Sequence, residues 1–467
     1  MSATMQLVGR VHHLPLSAMG KGIAASAYAL SSFLYHAEFT GLPTDCPAHT
    51  QRVATAICAR AQPNLLIGSP RSGGFGLLPL IAHTRARHVS MASALLCGLQ
   101  SADPQPAWIH LAGHLLHAAC PLLHPARTLL SATLTTADNV ALGRLGLPPA
   151  LPQPYAVPPG ILRYMCIALQ AMGPLSFPPS SSQRSPADAI SSTAADTADL
   201  PDLRWPAICN VSPPLRPAAS RVPVRAATQR LAAGAAATRA AAHLQFLRVA
   251  APPQAPTDVA VSAFQGTLRY VWRLPCSNSL KEPLWRLAIN VFGGSHIPAA
   301  SWRCPCCPAW HPPLMRPAPT PPSAHVYWDC EVARAVRRQL ALVVHPTPPP
   351  LRHHVWLVLP PAVTLNKGAW ALLCLAALDA MEHGRRCAQP LRGLPRPQHP
   401  AFTHRDHPAS QATARFWGTV QGFAGTRLPS AKSPLASLPA AHPVLYAEGG
   451  CIAVSIPPSV ASPDSAP

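Results

Sequence analysis

The 467-residue sequence predicts a mainly α protein, in the order helical N-terminal region, long disordered linker, and small metal-stapled module with a helical tail. Three observations predict it. Apolar residues recur near helical spacing, as in Leu16 to Phe39, where Ile23, Ala27, Leu30, Leu34 and Ala37 fall close to one face. The middle of the chain is rich in Ser, Pro, Ala and Thr, and 59 prolines are too many for a compact helical protein of this length. Cysteine and histidine gather in one segment, with Cys304, Cys306 and Cys307 followed by His325 and Cys330.

Residues 1–172 form the helical region. The helix Leu16–Phe39 stops before Pro43. Gly68 to Leu80 opens as a Gly- and Pro-rich turn and then starts a helix that runs toward Leu96, with His83, Arg85, Arg87 and His88 on its first turns. Proline-separated helices follow at Trp108–Ala119, Ala126–Leu145 and Ile161–Ala171. Residues 173–262 read as a disordered linker, interrupted by a lone basic helix at Ala226–Val249. Residues 263–345 are the metal module, with helix Val332–Val344 at its exit. Pro346 to Pro350 breaks that helix. In the tail, 346–467, a helix spans Lys367–Cys387, and one packed patch, Ala414–Phe423, interrupts a loop-rich stretch that begins at Gln389. Disorder is expected from about Pro457.

Lys plus Arg is 37 and Asp plus Glu is 17, which gives a net charge of +20 and a sequence pI near 10.0. That balance favours polyanion partners such as RNA or DNA, and a coding bias toward Arg, Ala and Pro accounts for it equally. The 14 cysteines follow an N-terminus without a long apolar run, so a reducing compartment, nuclear or cytoplasmic and not secreted, is expected. The longest apolar helix-like stretch, Ala369 to Ala380, is too short to span a bilayer, so no membrane association is expected.

Cysteine sulfur and imidazole nitrogen are the ligand types of closed tetrahedral structural zinc sites. Cys304, Cys306, His325 and Cys330 make a four-ligand set. Cys307 is the alternative to Cys306 and would give a Cys-x2-Cys spacing. His311 is a competing donor in the proline-rich loop between the two halves. The bland reading is a chance or decayed cluster in a chain rich in both residue types.

Catalytic signatures are missing. Gly73-Gly74-Phe75-Gly76 lacks the Gly-Lys-Ser/Thr ending of a P-loop and reads as a tight turn. His404-Arg405-Asp406 stands without the other kinase motifs. There is no Gly-x-Ser-x-Gly elbow and no Asp-Asp pair, so neither acyl transfer nor two-metal nucleotidyl transfer has its residues here. No small-molecule substrate is expected. The arginines Arg85, Arg87, Arg273, Arg286 and Arg303 are candidate nucleic-acid contacts. The interleaved Trp272, Trp285 and Trp302 are better read as the core of the small module.

Taken in order, three segments resemble the C-terminal part of non-LTR (LINE-type) retrotransposon reverse transcriptases. They are Leu16–Phe39 with its ending Tyr35-His-Ala-Glu-Phe39; Gly73-Gly-Phe-Gly-Leu-Leu-Pro-Leu80 with Ala86-Arg87; and Trp285-Arg-Leu-Ala-Ile-Asn290 with Cys304-Pro-Cys306, His325-x2-Trp328-Asp-Cys330 and Val332-Ala333. Phe416-Trp417 and His442-Pro443 fit more weakly. The resemblance implies a thumb-like helical region that holds template and primer and a zinc module that grips RNA or target DNA. The family's catalytic palm motif, which carries an Asp-Asp pair, is not in this sequence, so the resemblance implies a non-catalytic fragment. The alternatives are a decayed open reading frame and a zinc-stapled interaction module. Cys307 stands where the family commonly has Gly, which leaves the second thiolate open.

Overall fold

A computed structural model describes residues 2–58, 61–100, 104–119, 160–172, 222–251, 258–291, 304, 306–307, 322–344, 348–362, 365–388, 407–427 and 444–456. The fold is mainly α. In chain order the helices are α1 (Ser2–His13), α2 (Ala18–Ala24), which runs through a π-helical turn Ala25–Leu30 into α3 (Ser31–Thr40), α4 (Cys46–Ile57), α5 (Pro63–Leu66), α6 (Leu80–Gln100), α7 (Ala107–Ala119), α8 (Ile161–Met172), α9 (Val224–Leu231), α10 (Ala233–Ala250), α11 (Asp258–Trp272) and α12 (Asn278–Ala288). A π-helical turn, His325–Asp329, precedes α13 (Glu331–Val344), α14 (Arg352–Trp356), α15 (Lys367–Ala388) and α16 (Pro408–Gln421). One antiparallel hairpin closes the set, β1 (Leu445–Glu448) with β2 (Cys451–Val454), in register Leu445 to Val454. Among the described residues no helix is long and apolar enough to cross a membrane.

The chain divides into two units that interleave in sequence. The first comprises Met1–Gly9, Ala25–Val53 and Leu78–Ala235. Its core lies along α6, where Ala86, Val89, Leu95 and Leu96 meet Met165 and Leu169 of α8 and Ala227 of α9. Small residues on α6 let the neighbouring helices come close. The end of α3 is tied to that core by polar contacts. His88 Nε2 lies 2.8 Å from the Glu38 carbonyl, and the Tyr164 hydroxyl donates to the Thr40 carbonyl over 2.6 Å. Gly41, at φ +80°, lies under the Tyr164 ring, and a Cβ there would sit 2.2 Å from a ring carbon. Only glycine meets both demands.

The second unit comprises Arg10–Ala24, Ala54–Leu77 and Ala236–Pro467. Its centre is α15, which is buried on every side from Gly368 to Glu382. An all-round apolar helix can be stable only inside other elements, and α12, α13 and α16 supply them. The expected Gly73–Leu80 turn is part of this unit up to Leu77 and is held by three side chains. Arg239 donates to the carbonyls of Asn64 and Ile67, His243 packs against Gly73 (φ +84°), and Trp285 Nε1 donates to the Pro70 carbonyl over 3.0 Å.

Several expectations need adjusting. The expected Ala226–Val249 helix is two helices, α9 and α10, and it is not alone. Ala227 is fully buried in the first unit, and Arg239, His243 and Phe246 are buried in the second. The unit boundaries therefore do not follow the expected divisions at 172/173 and 262/263. The expected patch at Ala414–Phe423 belongs to a longer helix, α16, and the loop-rich tail contains the β1–β2 hairpin, while α1 and α4 were not expected. The expected helix Ala126–Leu145 and most of the linker lie outside the described residues.

Candidate metal centre

A His-x4-Cys spacing does not share a face on an α-helix. Five residues at 3.6 per turn leave the two side chains about 140° apart. The chain solves this with the π turn His325–Asp329, in which the Cys330 N–H donates to the His325 carbonyl over 2.7 Å. That i-to-i+5 bond widens the turn and brings residue 330 back beside residue 325. Cys330 itself leaves the helix with extended backbone (φ −60°, ψ 149°) and is buried.

The other half of the site arrives on the short segment at Cys304. The donor atoms of Cys304, Cys307, His325 and Cys330 all lie within 4.8 Å of one another, a group that can hold a metal ion. Among the described residues it is the one such group of three or more His, Cys, Asp or Glu. Cys330 Sγ is 3.6 Å from Cys304 Sγ and 3.6 Å from Cys307 Sγ. Three thiolates around one tetrahedral ion, with metal–sulfur bonds of about 2.3 Å, stand about 3.8 Å apart. The observed separations fit that geometry and are far longer than a disulfide.

Cys306, the first choice as second thiolate, is not in the convergent group, and Cys307, the alternative, takes its place. The sulfur of Cys307 lies within 4.8 Å of the other three donors, His325 included. Cys306 stays nearby and buried, with its sulfur against those of Cys304 and Cys330. The neighbouring sulfurs of Cys306 and Cys307, together with burial, push the Cys304 thiol up. Burial alone depresses His325, but the facing sulfurs of Cys304 and Cys307 outweigh it and raise the imidazole to about 9. A metal must therefore displace protons from this site, and its affinity falls in acid.

The turn is braced from inside the unit. Tyr327, fully buried, donates its hydroxyl to Glu382 Oε2 of α15 over 2.8 Å. Arg385 Nε donates to the same oxygen over 3.1 Å, and its Nη2 reaches Oε1. Trp356 Nε1 donates to the Tyr327 carbonyl. Sequence reading missed this network, because Glu382 and Arg385 are a plain i, i+3 pair until α15 is known to be buried.

The five candidate arginines do not share one surface role. Arg87 is paired with Glu38 over 2.6 Å, and Arg286 is half-buried and paired with Glu282. Arg85 is half-buried and Arg273 is exposed, while Arg303 lies outside the described residues, as does Trp302. Trp272 and Trp285 pack against each other, with Trp285 fully buried, as expected of core residues. Sequence reading also missed Arg334, Arg337 and Arg338 on α13, although their i, i+3, i+4 spacing directly after the motif was a usable signal. Comparison of the chain with family models, with curated proteins and with solved structures finds no match.

Proposed function

We propose that this chain is a non-catalytic, nucleic-acid-binding part of a LINE-type retrotransposon reverse transcriptase, stapled by one structural zinc ion. The observation that carries the reading is the convergence of Cys304, Cys307, His325 and Cys330, two halves of a ligand set separated by a proline-rich stretch of sequence. Three sulfurs and one imidazole suit zinc in a closed structural site. Zinc would supply rigidity by joining the Cys304 segment to the π turn, and the Tyr327–Glu382 contact transmits that rigidity to α15. The net charge of +20 supports a polyanionic partner. The absence of an Asp-Asp pair from the sequence supports a role in gripping nucleic acid instead of polymerising it.

Two measurements on the full chain test this. Metal analysis of the purified protein is expected to find one zinc per chain, lost on replacing Cys330→Ser. Anisotropy of a labelled single-stranded RNA is expected to report binding that weakens steeply as salt rises. A chain that folds without zinc, or that ignores RNA and DNA at low salt, would overturn the proposal.

A further inference from the structure

The π turn has an outward side as well as an inward one. Trp328, half-exposed, carries the Arg337 guanidinium over its ring, 3.9 Å from the centroid. Arg337 Nη1 also donates to the Trp328 carbonyl over 3.0 Å, and Arg334 Nε donates to the Asp329 carbonyl over 2.8 Å. Arg334, Arg337 and Arg338 share one face of α13, with Arg334 and Arg338 exposed. A charged outer face is ordinary for an amphipathic helix, but this one is set apart by how its charges are held.

Two of the three guanidiniums are anchored by backbone carbonyls instead of carboxylates. They keep their full charge and most of their five donors. Arg334 and Arg337 are close enough to repel each other, and the attraction of Asp329 for Arg337 outweighs that repulsion. Glu331 leans toward His407, 3.7 Å away, so three arginines face one such carboxylate and the patch stays positive. The anchoring carbonyls belong to residues 328 and 329, which lie between the metal donors His325 and Cys330. Whatever pins those two donors also fixes the arginines.

We propose that Trp328, Arg334, Arg337 and Arg338 form the surface on which this chain holds single-stranded nucleic acid, the arginines meeting phosphates and the outer face of the Arg337–Trp328 stack receiving a base. The proposal rests on the nucleic-acid reading given above and assigns it a place. Guanidinium planes and aromatic rings accept unstacked bases, which a duplex does not offer. The stack is already assembled in the free chain, so little side-chain freedom is lost on binding.

The test uses the full, zinc-loaded chain and a short labelled mixed-sequence single-stranded RNA, titrated at several salt concentrations. Wild type is expected to bind, and R334Q/R337Q to bind at least about tenfold more weakly at low salt. Two lost phosphate contacts on a single strand should flatten the log–log salt slope by about 1.4. W328A is expected to weaken binding without changing that slope. Zinc content and thermal midpoint report whether each variant is folded. If the double variant loses zinc, R338Q, whose side chain has no hydrogen bond or ion pair to the turn among the described residues, carries the test with an expected slope change of about 0.7. Wild-type affinity and slope in a folded, zinc-loaded arginine variant would overturn the surface and leave the nucleic-acid reading standing. A stronger preference for duplex than for single strand would overturn the stacking assignment. No binding by wild type at low salt would overturn both.

Discussion

Replacing Glu382→Gln removes one charge and almost no volume from the brace behind the metal turn. Glu382 is 4% exposed and Arg385 is 7% exposed, so water screens their attraction weakly. The carboxylate accepts from the Tyr327 hydroxyl and twice from Arg385, while Arg386 lies at 3.7 Å. A glutamine keeps one acceptor and turns its NH2 toward donors. Breaking a buried pair from one side costs about 3–5 kcal/mol. The retained acceptor places this case near the lower end, about 3 kcal/mol, or roughly a 150-fold change in the folding constant. Burial alone would raise the Glu382 carboxyl, but Arg385, Tyr327 and Arg386 outweigh it, and the net direction is down from 4.5. A depressed folded-state pKa means that the stabilisation is complete above 4.5 and is lost as pH falls from there through the folded value. Urea unfolding followed by tryptophan fluorescence suits the measurement, because Trp356 and Trp370 are fully buried in the same unit. The gap between wild type and E382Q should be largest near neutral pH and should narrow once the wild-type carboxyl is itself protonated. A loss under about 1 kcal/mol at neutral pH, or a gap that stays constant through the carboxylate range, would refute the reasoning.

Four further outcomes are expected. C307S should lower zinc affinity by more than about 100-fold while C306S keeps it, as read by competition with a chelator; the reverse ranking would assign the ligand to Cys306. G73A should destabilise the second unit by at least about 1–2 kcal/mol in thermal unfolding, because φ is +84° and the new Cβ would meet the His243 ring at 2.6 Å. His243 is fully buried, and burial, reinforced by Arg239, pushes it down to about 4. It is neutral in the folded state, so its contribution is intact above 6.5 and is lost between 6.5 and about 4, worth about 3 kcal/mol, and H243F should flatten that part of the acid unfolding curve. W285F should cost about 2 kcal/mol through lost packing and the lost bond to the Pro70 carbonyl, measurable by the shift in urea midpoint.

Long elements with a clear 3.6-residue period were legible in the sequence. The helix expected from Leu16 to Phe39 is α2 through α3, and those expected at Val332–Val344 and Lys367–Cys387 are α13 and α15 to within a residue. The helical stretch of α9 and α10 was expected at Ala226–Val249, but its burial was harder to see, because Phe246 and Leu247 share the buried faces with Ala227, Ala235, Arg239 and His243. Alanine carries little hydrophobic pattern, and a buried arginine is indistinguishable from a solvated one until its partner carbonyls are known. The β1–β2 hairpin did leave a signal, Gly449-Gly450 between short apolar runs, and both glycines have positive φ. In the metal site the donor types and the His325–Cys330 half were legible from spacing alone. The choice between Cys306 and Cys307 was not, since it depends on the direction of the backbone at 304–307.

The π turn divides its five residues among separate duties, and the division orders the consequences of losing metal. His325 and, just beyond the turn, Cys330 belong to the donor group that can hold an ion, Val326 and Tyr327 face the interior, and Trp328 and Asp329 face out. Tyr327 remains tied to Glu382 and Trp356 whether or not an ion is bound, because those contacts involve no donor atom of the site. Chelation should therefore leave α15 and its neighbours packed and loosen the ends of the turn whose carbonyls hold Arg334 and Arg337. On this reasoning nucleic-acid affinity falls before the helical core melts, so the two losses separate along a chelator titration.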